Sequence, residues 1–173
     1  MIKLWVLSDL HCELLGYPHR IDLPRPKCDV LVLAGDVDRA GNVVDKLRKM
    51  FGDRIPIVFV AGNHEHYQTG QTVQEDIDRL YQDAHADREA GRITHFLEND
   101  TVEMEVRGEP IRFIGATLWT DFKLFGNPYL AMSVAKRRMN DYALIKSNKA
   151  GVWELRPQET VEWHRESRAY IER

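Results

Sequence analysis

Three apolar runs of the chain are each followed by polar residues of types that commonly bind metals. They are Asp9 and His11 after the first run, Asp36 after the second, and Asn63 and His64 after the third. Carboxylates, an amide oxygen and imidazole nitrogens form a mixed oxygen and nitrogen donor set, which suits Mn, Fe, Zn or Ni. The set holds no thiolate, which argues against a structural zinc site.

The three apolar runs read as strands buried on both faces, because they are short and rich in Val, Ile and Leu. They cover residues 2–7, 30–34 and 56–61. Residues 42–51 lie between the second and third runs, with apolar positions at helical spacing and Gly52 at the place of a C-terminal cap. A strand, helix, strand unit predicts parallel pairing with a right-handed crossover. Parallel strands end at one edge of a sheet, so we expect the polar residues to meet there.

The rest of the chain continues this alternation and then changes period. Thr72 and Glu75 have the spacing of a capping box, which predicts the start of a second long helix. After residue 93 the pattern predicts an antiparallel meander with strands at 94–97, 102–106 and 111–118. Two more helices are predicted, one over residues 129–139 and one beginning at Pro157.

Composition limits the class of protein. A chain of 173 residues that is 43% hydrophobic and 29% charged predicts one soluble globular domain over residues 1–173. A net charge of −3 does not favour non-specific nucleic-acid binding, although a nucleotide substrate is compatible with it. Two cysteines, Cys12 and Cys28, cannot form a disulfide framework, and no stretch has the length of a membrane span. We therefore expect a cytoplasmic protein with no membrane partner.

The ordered motifs resemble those of the calcineurin-like metallophosphoesterases, in a bacterial branch of that superfamily. The resemblance rests on Asp9-x-His11, Gly35-Asp36 and the segment Gly62-Asn63-His64-Glu65, taken in this order. The later stretches GATLWTDFKLFG and MNDYALIK are also similar to that branch. Each motif alone is weak, but three in order at the ends of strands are specific.

The resemblance implies an α/β fold of the metallophosphoesterase type, with two sheets in a β-sandwich flanked by helices. It implies hydrolysis of a phosphomonoester or phosphodiester by a water molecule that two divalent metal ions activate. Asp9 and His11 would bind the first ion, Asp36 would bridge both, and Asn63 would bind the second. His64 would not be a ligand; it would contact the substrate phosphate, stabilising charge or protonating the leaving oxygen.

The sequence also departs from the family. Complete members carry a later histidine in an apolar strand and then a Gly-His-x-His turn, which together supply three further ligands. The remaining histidines lie in no such context; they are His19, His66, His85, His95 and His164. We therefore expect the N-terminal two thirds of a full domain, incomplete at the C-terminus. The alternative function is a catalytically impaired, truncated domain that binds metal or a partner, or that needs a separate C-terminal fragment. An uncovered apolar face would then favour self-association.

Three polar residues beside the motifs keep alternative interpretations. Asp38 is either a partner of a metal ligand or an exposed turn residue. Glu65 is expected to orient its neighbours through hydrogen bonds rather than to touch metal. His66 either lines the mouth of the substrate site or, as the favoured reading, lies on the surface in contact with solvent.

Overall fold

A parallel sheet of four strands forms the centre of the protein. The computed structural model describes residues 1–14 and 24–173, so His19 lies outside the described residues. The strands are β1 (Leu4–Leu7), β2 (Val30–Ala34), β3 (Ile57–Val60) and β4 (Thr94–Phe96). They stand in the order β1-β2-β3-β4, and each neighbouring pair is parallel. The three predicted strands are thus confirmed.

Two helices connect these strands and cover one face of the sheet. Helix α1 (Val43–Phe51) joins β2 to β3, and helix α2 (Val73–Glu89) joins β3 to β4. The predicted capping box at Thr72 and Glu75 begins α2. Alternate residues of the strands, such as Leu31 and Phe59, pack beneath Leu47 of α1 and Leu80 of α2. This cluster is the main core.

An antiparallel hairpin covers part of the opposite face. It consists of β5 (Asp100–Val106) and β6 (Glu109–Gly115). Val30 and Val58 of the parallel sheet pack there with Val106. The prediction of a three-stranded meander is wrong, because residues 94–97 belong to the parallel sheet, where β4 pairs with β3 after the crossover through α2. The α/β fold with two sheets flanked by helices is confirmed.

Three further helices pack at the sheet edge where β1, β2 and β3 end. They are α3 (Pro128–Arg138), the short α4 (Asp141–Leu144) and α5 (Pro157–Ile171). The predictions of α3 and of Pro157 as the first residue of α5 are confirmed, whereas α4 was not predicted. Tyr142 of α4 and Trp163 of α5 share a third apolar cluster with Tyr67, which follows the motif after β3. Among residues 1–14 and 24–173, none of the helices combines the length and the apolar character needed to cross a membrane.

Candidate metal centre

The loop after β1 is hydrogen-bonded to the loop after β2. The backbone N–H of Asp9 donates to the carbonyl of Gly35 at 3.2 Å, and that of His11 donates to the carbonyl of Asp36 at 2.9 Å. Asp9, His11 and Asp36 all have positive φ angles, of 55°, 44° and 56°. Non-glycine residues adopt this left-handed conformation at an energetic cost, and such strain concentrates at functional sites. The first two motifs are therefore held together by backbone hydrogen bonds.

The loops after β2 and β3 approach each other closely at two glycines. A Cβ placed on Gly35 would lie 2.6 Å from the backbone nitrogen of Gly62. A Cβ placed on Gly62 would lie 2.2 Å from Oδ1 of Asp36. Only glycine fits at these positions, so both residues are needed to bring the second and third motifs together.

His11, Asp36 and His64 form a compact cluster at this edge of the sheet. One possible ligand atom from each residue lies within 4.8 Å of the other two. Oδ1 of Asp36 also accepts a hydrogen bond from the backbone N–H of His64 at 2.9 Å, which ties the second motif to the third. The carboxylate of Asp36 and the imidazole of His11 are ligand types that divalent transition metals accept, and His64 lies beside them. Residues from three strand ends thus meet at one edge of the sheet.

Asp9 lies at the rim of this cluster. Its Oδ1 is 3.7 Å from Nε2 of His11, and its side chain is 66% exposed. The carboxylate therefore lies beside Nε2 of His11, whereas Nδ1 of the same ring faces His64. This placement is compatible with binding one ion together with His11.

The side chain of Asn63 is oriented by two partners. Its amide nitrogen donates to Oδ1 of Asp141 at 2.7 Å and to the hydroxyl of Tyr67 at 3.0 Å. Burial, together with the charge of Asp141, raises the pKa of Tyr67 to about 12, so its phenol keeps its proton. With both amide hydrogens engaged, the carbonyl oxygen of Asn63 is the atom left to bind an ion.

The imidazole of His64 is held on three sides. It stacks on the ring of Tyr67 with 4.2 Å between ring centroids, and it meets the ring of His11 edge-on, also at 4.2 Å. Its Nδ1 lies 2.6 Å from Oε1 of Glu13 and 3.2 Å from Nδ1 of His11. These contacts leave the ring little freedom to turn.

Glu65 organises the backbone beneath the cluster, as predicted. Its carboxylate is fully buried and accepts three backbone N–H bonds, from Val37 at 2.7 Å, Gly62 at 2.7 Å and Asp36 at 3.0 Å. Burial raises the pKa of Glu65, although the bonds from Val37 and Gly62 act in the opposite direction. The side chain thus fixes the loops after β2 and β3 without facing the cluster.

Asp38 and His66, two polar residues beside the motifs, are both buried. Asp38 accepts from the backbone N–H of Arg39 at 2.8 Å and from Nδ2 of Asn42 at 3.0 Å, so its carboxylate is tied to the turn before α1. His66 has its Nδ1 3.2 Å from Oδ2 of Asp76 in α2. The favoured interpretation of His66 as a solvated surface residue is wrong, because its imidazole finds a partner on α2. Of the two interpretations of Asp38, burial excludes the exposed turn residue.

Sequence reasoning missed three residues that contact the predicted set. Glu13 completes an alternation with Asp9 and His11, so its spacing was a usable signal. Asp141 lies within the segment MNDYALIK, which carried the family resemblance but no assigned role. Nothing in the sequence indicates that Tyr67 stacks on His64, since that contact depends on the turn between them.

A sequence profile of the calcineurin-like phosphoesterases matches residues 2–143 of the chain. No curated protein matches it significantly. Among solved structures, it is similar to the phosphopantetheinyl hydrolase of Mycobacterium tuberculosis, with a TM-score of 0.65 and 23% sequence identity. That alignment covers 99% of this chain and 63% of the other, so the chain spans less than two thirds of the length of its structural relative. At this identity the likeness concerns the fold. Since the profile covers most of its length, the chain belongs to the calcineurin-like phosphoesterase family.

Proposed function

We propose that this chain carries the metal-binding part of a phosphoesterase that hydrolyses phosphomonoesters or phosphodiesters. The single observation that supports this most directly is the meeting of His11, Asp36 and His64 at the carboxyl edge of the sheet. In open α/β sheets this edge is where ligands bind. Two divalent ions, drawn from Mn, Fe, Zn and Ni, would supply an activated water molecule and offset the charge of the phosphate.

Four residues would bind the two ions. Asp9 and His11 would hold the first ion, Asp36 would bridge both ions, and Asn63 would hold the second through its carbonyl oxygen. A bridging carboxylate is required because two dications only a few ångströms apart repel each other strongly. Support for the role of Asn63 comes from its amide nitrogen, which is engaged by Asp141 and Tyr67.

His64 would contact the substrate phosphate rather than bind an ion. It would stabilise the charge of the phosphate or donate a proton to the leaving oxygen, a role that suits imidazole near neutral pH. The stacking of its ring on Tyr67 supports this role, because a proton donor must be held in place relative to the reacting group.

A second candidate function is binding of a metal or a partner without turnover, by a domain that is catalytically impaired alone. The number of donors favours it: within the residues that the structure describes, we assign three donors to the first ion and two to the second. Donors from a separate C-terminal segment would then be needed to complete the site. In that case the chain would bind one ion tightly and hydrolyse no ester.

One experiment separates the two functions. The purified chain is incubated with Mn²⁺ and nitrophenyl phosphate mono- and diesters, beside the variant Asp36→Asn. Turnover that the substitution abolishes would support the phosphoesterase. If no ester is hydrolysed while circular dichroism reports a folded chain, calorimetric titration with Mn²⁺ then tests the second function, which requires one tight binding event that Asp36→Asn weakens.

We also propose that the protein is cytoplasmic and that two copies associate through strand β1. The cytoplasmic assignment is supported by the free thiols of Cys12 and Cys28. Self-association is supported by the position of β1 at the edge of the described sheet. Leu4 and Val6 lie on the same face as the hairpin and are exposed there. An exposed apolar edge strand pairs readily with a second copy of itself.

A further inference from the structure

Glu13 is a buried carboxylate that the roles assigned above do not use. Its side chain is only 7% exposed, and its Oε1 lies 2.6 Å from Nδ1 of His64. Its other oxygen, Oε2, is buried and has no hydrogen-bond partner among the residues that the structure describes. A buried polar atom without a partner costs stability, so folding alone does not account for a glutamate here.

The distances distinguish hydrogen bonding from shared metal binding. Two ligand atoms at about 2.0 Å from one tetrahedral ion lie about 3.3 Å apart, which is longer than the contact between Glu13 and His64. A separation of 2.6 Å is instead that of a short, charge-assisted hydrogen bond. Because a carboxylate only accepts, Nδ1 of His64 must carry the proton.

The same oxygen discriminates between the two imidazoles. Nδ1 of His11 lies 3.5 Å from Oε1 of Glu13, beyond the usual length of a hydrogen bond to nitrogen. Glu13 therefore engages the ring of His64 in preference to that of His11. A protonated Nδ1 has no lone pair to offer an ion, so His64 acts at the site only through Nε2.

Asp38 is another buried carboxylate beside the motifs, and it has different partners. It accepts hydrogen bonds from Arg39 and Asn42, and its Oδ2 lies 3.6 Å from Nζ of Lys46. The carboxylate within hydrogen-bond distance of His64 is instead that of Glu13, two residues after the first motif.

We propose that Glu13 is a positioning residue for His64, accepting the Nδ1 proton so that Nε2 is the nitrogen presented to the substrate phosphate. The proposal rests on the role of His64 in the proposed function, but its geometry is testable without metal or turnover. A carboxylate behind an imidazole fixes both the tautomer and the orientation of the ring.

The test is an NMR measurement of imidazole nitrogens in the metal-free full chain with ¹⁵N-labelled histidine. It is made at about pH 8, above the ordinary pKa of imidazole. The His64 signals are assigned by their loss in His64→Gln. In the wild type the proton is expected on Nδ1. In Glu13→Ala it is expected to move in part to Nε2, the nitrogen that carries the proton in most neutral histidine side chains free in water. Glu103→Ala, which removes an exposed carboxylate of the hairpin, is expected to leave the His64 signals unchanged.

A wild-type spectrum with the His64 proton on Nε2 would overturn the proposal, whether or not Glu13→Ala folds. An unchanged tautomer in a folded Glu13→Ala would overturn it as well. If the wild type hydrolyses esters, kcat of Glu13→Ala is expected to fall about 100-fold with KM nearly unchanged. An inactive wild type would contradict the phosphoesterase function alone, because the tautomer is measured without substrate.

Discussion

The amide nitrogen of Asn63 donates a hydrogen bond to the carboxylate of Asp141, 2.7 Å away and 78 positions later in the chain. Asp141 is buried at the start of α4, so its position depends on the packing of the C-terminal helices. The carboxylate accepts only, and it therefore decides which end of the Asn63 amide faces the site. A residue far from the three motifs thus sets the orientation of one proposed metal ligand.

Asp141→Ala is expected to weaken binding at the second metal position, because the amide of Asn63 loses its main acceptor and is free to turn. Loss of such an orienting partner lowers metal affinity about 10- to 100-fold. Calorimetric titration with Mn²⁺ measures the change. Asp78→Ala removes an exposed carboxylate of α2 and is the matched control. Equal affinities in both variants would contradict the role of Asp141.

Gly62→Ala is expected to damage the site directly. Its Cβ would lie 2.2 Å from Oδ1 of Asp36, so the carboxylate or the loop must move. We expect a loss of about 1–3 kcal/mol in the free energy of unfolding, as for other overpacked positions, together with weaker Mn²⁺ binding.

Gly41→Ala is the control for that variant, because a Cβ there meets no atom within 4 Å and Gly41 has no positive φ. Its effect on unfolding is expected to stay within about 0.5 kcal/mol. Urea unfolding of both variants provides the comparison. A Gly62→Ala protein as stable and as tightly metal-binding as Gly41→Ala would mean that the loops are not held as closely as described.

The sequence predicted those parts of the fold that follow from local pattern. The strands before Asp9, Asp36 and Asn63 and the helices α1 and α2 are defined by apolar spacing and caps, which need no knowledge of distant residues. Strand β4 was assigned to the wrong sheet because its pairing with β3 depends on the path of α2. The local sequence pattern determines where a strand or helix forms. Which strand lies beside it in the sheet depends on the path of the connecting segment.

The site residues also divide into those predicted from local pattern and those that depend on contacts between separate elements. The motifs predicted which residues meet at the sheet edge, since parallel strands end together. The spacing of Glu13 places it beside the first motif, but its contact with His64 could not be predicted from local pattern. The same holds for the contact of Asp141 with Asn63 and for the burial of His66, because each depends on a contact between separate elements. A polar residue in a loop is usually exposed, because burying it without a hydrogen-bond partner costs free energy. His66 is buried because Asp76 supplies that partner.

Acid is expected to destabilise the protein through Asp87, a buried residue at the end of α2. Burial alone would raise the pKa of Asp87, but hydrogen bonds from Thr94, Arg92 and Arg48 hold it below its usual value. A lowered pKa in the folded state adds stability at pH values above the unfolded pKa of about 3.9. That contribution is lost as the pH falls from about 4 through the folded pKa.

Asp87→Asn tests this prediction. At pH 7 the variant is expected to lose about 3 kcal/mol of unfolding free energy, because Arg48 is left buried without its carboxylate at 2.9 Å. Below about pH 4 its stability is expected to fall less steeply with pH than that of the wild type. Asp45→Asn removes an exposed ion pair and should change stability by less than about 1 kcal/mol. Parallel pH profiles for the wild type and Asp87→Asn would contradict the assignment.

Self-association through β1 is expected to depend on Val6, a residue that is 59% exposed. Val6 is the register partner of Val32, so both side chains lie on the face of the sheet that carries the hairpin. The hairpin packs over β2 and β3 on that face and leaves Val6 exposed. Burying Leu4 and Val6 against a second copy removes apolar surface from water and pairs the edge of β1 that no described strand covers. Light scattering should therefore report a mass that rises with concentration for the wild type and stays monomeric for Val6→Lys.

Val134→Lys replaces another exposed apolar residue, on α3, and should associate like the wild type. A monodisperse wild-type monomer at high concentration would rule out this interface, whereas equal loss of association in both variants would place the contact on a different surface.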